Sequence, residues 1–74
     1  MPLVEERKMV RADYVPAGVY VRFRREGRVS WESHIASPRY CGRVYLWTKD
    51  ASGDIRRTEM SDSTYVHVAR EEMD

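Results

Sequence analysis

The chain has 74 residues, a formal net charge of +1 and 42% hydrophobic residues, enough for a single small β domain over residues 1–74 and too little for a multidomain enzyme. The near-zero charge sum excludes a strong general field toward polyanions, and no apolar run approaches the ~20 residues of a membrane-spanning helix. A lone cysteine, Cys41, excludes an internal disulfide and fits a reducing, cytoplasmic compartment.

Residues 3–12 predict a short helix, with Glu5 and Lys8 three apart and Leu3 and Val10 seven apart. The same segment lacks the apolar centre of a signal peptide, so a soluble protein is expected. Pro16-Ala17-Gly18 interrupts the chain. From Val19 onward the pattern is β. Five strands are expected over 19–24, 28–35, 43–49, 55–60 and 64–69, rich in Val, Tyr, Trp and Thr. Glu26-Gly27, Ser37-Pro38, residues 50–54 and Ser61-Asp62-Ser63 separate them. Such short connections imply an antiparallel meander, and closing it into a barrel would remove its exposed edges. The expected fold class is all-β, or mainly β with one short N-terminal helix: a small five-stranded antiparallel barrel or strongly bent sheet. In element order and size, though in no diagnostic motif, residues 19–69 resemble the SH3-like and Sm-like small barrels.

The register of the first hairpin follows from the alternation in VYVRFRREGRVSW, residues 19–31. A two-residue loop, Glu26-Gly27, sets Phe23 opposite Ser30 and Val21 opposite Glu32, placing polar groups against core positions. A three-residue loop, Arg25-Glu26-Gly27, pairs Phe23 with Val29 and Val21 with Trp31. It also puts Gly27 where a type I turn with a bulge requires positive φ. The three-residue loop is therefore expected. Val19, Val21, Phe23, Val29 and Trp31 then face the core, and Arg25 sits at the tip. Tyr20, Arg22, Arg24, Arg28, Ser30 and Glu32 face solvent. Arg24 and Arg28 become cross-strand neighbours, a like-charge pairing that a binding partner would relieve.

In the second hairpin a five-residue loop, 50–54, pairs Leu46 with Thr58 and Val44 with Met60, leaving Trp47 beside Arg57. A four-residue loop pairs Trp47 with Arg56. In both registers Tyr45 and Trp47 share a face with arginine, an arrangement able to stack an unpaired base or anchor a protein interface.

Eleven of the 13 basic residues are arginine, which suits bidentate contacts to phosphate or carboxylate. The expected binding residues are Tyr20, Arg22, Arg24, Arg25 and Arg28 from the first hairpin, with Tyr45, Trp47 and Arg57 from the second. Cys41, His34 and His67 lack the paired spacing of a metal site, and the carboxylates are scattered or terminal. Gly18, Gly27, Gly42 and Gly53 lack phosphate-loop spacing. So small a barrel also leaves little room for a substrate pocket of ~300 Å³. Neither catalysis, metal, cofactor nor small-molecule substrate is expected. Two binding roles remain. The favoured one is a regulator or adaptor that docks on a larger protein partner, or assembles with further copies of itself. Its cues are the balanced charge, the Tyr/Trp/Arg content and the acidic tail of Glu71, Glu72 and Asp74. The alternative is a single-stranded RNA or DNA binder using the arginine ladder and exposed aromatics.

Overall fold

Period-two patterning becomes antiparallel sheet over most of residues 2–72, the part of the chain that the computed structural model describes. The elements are β1 (Leu3–Glu5), β2 (Val10–Arg11), a 3₁₀ turn (Ala12–Tyr14), β3 (Tyr20–Arg25), β4 (Arg28–Ala36) and β5 (Arg39–Tyr40). They continue with β6 (Arg43–Lys49), β7 (Ile55–Ser61), β8 (Tyr65–Val66) and β9 (Val68–Glu71). The main sheet runs β1-β9-β3-β4-β6, and β5 and β7 both pair with β6; β2 and β8 form a second, two-stranded sheet. The all-β class is as expected. Barrel closure is not found: among the described residues β1 pairs only with β9 and β7 only with β6.

The expected helix over residues 3–12 does not form. Fewer than a dozen residues give a marginal helix at best, and here the segment gains more from backbone pairing with distant strands. Leu3, Val4 and Glu5 pair with Glu71, Arg70 and Ala69, while Val10 and Arg11 pair with Val66 and Tyr65. The 3₁₀ turn that follows drives Ala12 into the core, with Val15 just beyond it. Arg11 grips Asp13 through two hydrogen bonds of 3.1 and 3.0 Å. The expected strand 64–69 is divided at His67, where the chain passes from the second sheet to the main one; its carbonyl accepts the Arg22 amide at 3.0 Å.

The apolar core is built from aliphatic residues. Val21, Val44 and Leu46 are wholly buried and meet Ala12, Val66 and Val68, with Phe23 and Met60 packed at the margin. Fully burying each of the larger side chains contributes about 2 kcal/mol.

The first hairpin takes the two-residue loop, correcting the register expected from the pattern. Arg25 pairs with Arg28, Phe23 with Ser30, Arg22 with Trp31 and Val21 with Glu32. Glu26 and Gly27 have φ of 52° and 77°, the two successive positive values of a type I′ turn, whose twist matches that of the strands it joins. Cys41-Gly42 repeats the device between β5 and β6, with φ of 50° and 78°.

What makes this register tolerable is a polar cluster in the interior. Glu32 is completely buried. Its carboxylate accepts two hydrogen bonds of 3.0 Å from the Arg25 guanidinium, one of 2.9 Å from Ser30 and one of 2.8 Å from Thr48. Arg25 reaches on to Thr58 Oγ1 at 3.1 Å. Burial alone would raise the Glu32 pKa, but the hydrogen bonds from Arg25, Thr48 and Ser30 and the arginine charge outweigh it, and the pKa falls below its ordinary value. Two residues along the strand, on the same face, His34 is also buried. Its Nδ1 lies 2.9 Å from the Pro16 carbonyl and must therefore carry the proton. Its backbone exchanges bonds with Gly18 and Val19, tying the segment after the 3₁₀ turn to β4.

Substitutions in the cluster and in the turn test this register. Glu32→Gln should lower stability by about 2 kcal/mol at neutral pH, since it leaves the Arg25 charge without its counterion. A depressed folded-state pKa means that the cluster contributes fully above the ordinary glutamate value of 4.5 and loses its contribution as pH falls through the lower folded value. Urea melts at several pH values should therefore show the gap between parent and Glu32→Gln narrowing in acid. At the turn, Glu26→Asn should stabilise by about 0.5 kcal/mol and Gly27→Ala should destabilise by about 1 kcal/mol, as thermal melts would show.

Candidate interaction surface

The two-residue loop decides which side chains share the face of the sheet turned away from the core. Alternation places Tyr20, Arg22 and Arg24 of β3 there, beside Ser33, Trp31 and Val29 of β4. Lys49 and Trp47 of β6 continue the face, followed by Ile55 and Arg57 of β7. The bulge at residues 34–36 brings Ala36 opposite Trp47 and leaves Ile35 open to solvent. Side chains that would ordinarily be interior are displayed: Val29 is 51% exposed, Ile35 46%, Trp47 38% and Ile55 54%.

Of the expected binding residues, Tyr45, Trp47 and Arg57 do come together. The five-residue loop occurs, so Trp47 pairs with Arg57 and Tyr45 with Glu59. The Arg57 guanidinium lies over both rings, 5.6 Å from the Tyr45 centroid and 5.9 Å from that of Trp47. Asp50 holds this loop. Its Oδ1 accepts the amides of Ser52 and Asp54 at 2.9 and 3.0 Å, and its Oδ2 accepts from Arg56 at 3.0 Å. The Arg56 contact foremost, then the amides, lowers the Asp50 pKa.

The arginine ladder of the first hairpin does not assemble. Arg25 is directed inward to Glu32, with its guanidinium 4.5 Å from the Phe23 centroid, and is neither at the tip nor free. Arg28 pairs with Arg25, so it lies on the opposite side of the ribbon from Arg24. Arg22 is half-buried, 3.7 Å from Glu5. Arg24 is exposed and reaches only the Gly27 carbonyl, at 3.3 Å. Tyr20 donates its hydroxyl to Glu71 at 2.8 Å, and that bond raises the Tyr20 pKa. Glu71 thus belongs to β9 rather than to a free tail; Asp74 lies outside the described residues.

Val29 and Trp31, expected in the core, belong to this surface instead, while Ser30 and Glu32, expected outside, are inside. Ile35 and Ile55 were not foreseen as surface residues at all. The one signal for them was position, since Ile55 directly follows the turn and Ile35 directly precedes Ala36-Ser37-Pro38.

Away from this face, an open groove of about 590 Å³ runs between β1, the segment after it and the 3₁₀ turn. It is larger than the expected lack of pocket space allows. It is lined by Val10, Pro16, Val19 and Val68 together with Arg7, Lys8 and the ion-paired Glu6 and Arg70. Cys41 is exposed in its turn, His34 is buried and His67 is half-buried at the strand switch. Among the described residues, no three metal-ligating side chains converge. No helix of the described chain is long and apolar enough to cross a membrane.

The chain matches no protein-family model, no curated protein sequence and no solved structure.

Adjacent residues on β6 test the assignment of faces. Leu46→Ala should cost about 3 kcal/mol in chemical denaturation, and Trp47→Ala about 1 kcal/mol or less, although tryptophan is the larger side chain.

Proposed function

We propose that this protein is a small non-catalytic binding module of the cytoplasm, a regulator or adaptor that docks on a larger protein through the solvent-facing side of β3, β4, β6 and β7. The observation that carries this reading is the display of Val29, Ile35, Trp47 and Ile55 on one face of a domain whose core is small. Aliphatic side chains contribute nothing to base stacking, but they supply the desolvated centre of a protein interface. Around them stand Arg24, Lys49 and Arg57, so the complementary surface is apolar with acidic groups at its rim. The cytoplasmic assignment rests on the unpaired, exposed Cys41.

One observation favours the other reading, a single-stranded nucleic-acid binder: the exposed Trp47 beside Tyr45 under the Arg57 guanidinium. Against it, Arg25 is held by Glu32, Arg28 is on the other side and Arg22 has Glu5 nearby, so few cations remain to follow a phosphate backbone.

The two readings separate cleanly. With protein docking, a stoichiometric protein partner is retained from nuclease-treated lysate. Trp47→Ala and Ile35→Ser each weaken that complex by about 2 kcal/mol without unfolding the module. A labelled oligonucleotide shows no saturable binding at low salt. Saturable oligonucleotide binding that falls roughly twentyfold between about 50 and 200 mM salt, as for three phosphate contacts on a single strand, would replace docking with the nucleic-acid role.

A further inference from the structure

The free edge of β7 carries a self-complementary code. Tyr45 donates its amide to the Pro38 carbonyl, away from β7, so Tyr45 and Glu59 are a non-hydrogen-bonded pair of the β6–β7 ladder. At the loop end, Asp50 donates to the Asp54 carbonyl, which sets the same alternation. It follows that Thr58 points its backbone groups toward β6, whereas Arg57 and Glu59 point theirs outward, to an edge that no other strand covers among the described residues.

An antiparallel strand added to this edge must pair outward-pointing residues with outward-pointing residues. For a second copy of β7 related by a two-fold axis, few registers qualify, and charge selects among them. Centring on Arg57 sets Arg57 against itself, and centring on Glu59 sets Glu59 against itself. Centring on Arg56 opposes two arginines and shortens the overlap. Centring on Thr58 puts Arg57 opposite Glu59 of the second copy, twice, with Thr58 meeting its equivalent and Ile55 meeting Ser61. Arg57 has no carboxylate partner of its own among the described residues. Glu59 has Arg43 at 3.0 Å on the side of β6, which leaves the carboxylate able to accept a second cation from the open side. The charges that blunt indiscriminate pairing at this edge therefore admit one partner, the same strand inverted.

We propose that β7 is the seam of a symmetric homodimer, paired antiparallel about Thr58, with reciprocal Arg57–Glu59 contacts and a continuous sheet across the two copies. The two-fold axis of such a seam is perpendicular to the sheet, so the faces bearing Trp47 and Ile55 lie side by side on the same surface of the dimer. A stapling contact of this kind also supplies what a domain with so small a core otherwise lacks. The inference stands independently of the docking role, because it concerns the purified chain alone.

Sedimentation equilibrium of the purified protein tests it. The expected result is a reversible monomer–dimer equilibrium with a dissociation constant on the order of 100 μM, since one strand pair buries less than a standard interface. Arg57→Glu and Glu59→Arg should each weaken self-association at least about tenfold, with circular dichroism unchanged. Mixing these two variants should restore dimers as a heterodimer, in which every facing pair is again opposite in charge, and the double variant R57E/E59R should dimerise by itself. A protein that stays monomeric to about 1 mM overturns the proposal. So does a dimer that is indifferent to both single substitutions, or a mixture of the two variants that fails to associate.

Discussion

The Glu32 carboxylate is the constraint on which the rest of the structure depends. A carboxylate without solvent contact is tolerable only when its lone pairs are filled and its charge is matched. Here Arg25 of β3, Ser30 beside it on β4 and Thr48 of β6 fill them, and Arg25 extends the cluster to Thr58 of β7. One anion thereby ties four neighbouring strands in a single register. A slip of one residue between β3 and β4 would remove Arg25 from Glu32 and turn the opposite set of side chains inward. The cluster thus specifies alignment more than it adds stability, because a well-packed apolar replacement would hold the sheets together equally well.

The surface is the reverse side of that choice. Since Ser30 and Glu32 occupy the interior, the alternating residues Val29 and Trp31 must face out beside Arg24 and Arg22. On β6 the same alternation buries Val44, Leu46 and Thr48 and turns Tyr45 and Trp47 away. Neither tryptophan belongs to the core cluster, which is aliphatic apart from Phe23 at its margin. Apolar mass that would have enlarged a small core is instead available for contacts outside the chain. An exposed face of this composition and a free charged edge on β7 are two products of the same economy.

How much of this is legible in the residues differs between the two hairpins. For β6–β7 the sequence leaves two loop lengths open, and the five-residue loop that forms is the one that satisfies one-face burial, setting Val44 against Met60 while Asp50 organises the loop locally. The β3–β4 register misleads for the same reason. Pairing Val21 with Trp31 and Phe23 with Val29 maximises apolar agreement, and nothing local reveals that Glu32 has Thr48 waiting for it sixteen residues away. Arginine density in residues 22–28 likewise suggests a ladder. Yet Arg25 is used internally, Arg28 lies on the other side and Arg22 is near Glu5. The helix expected at residues 3–12 fails on similar grounds, since its cues are local and weak while β9 and β8 offer backbone partners from the far end of the chain.

By itself, the sequence determined the β class, the approximate extents of the four strands of the two hairpins and the grouping of Tyr45, Trp47 and Arg57. All of these rest on local propensity and on an alternation that one hairpin can satisfy alone. Tertiary structure decided which face of the first hairpin is inside, which arginines remain on the surface, what the N-terminal segment becomes and that the sheet stays open at β7. Each of these turns on a partner distant in sequence: Thr48 for Glu32, Thr58 for Arg25, β9 for β1. A buried charge takes the side where its hydrogen-bond donors are, and only the folded chain brings those donors within 3 Å.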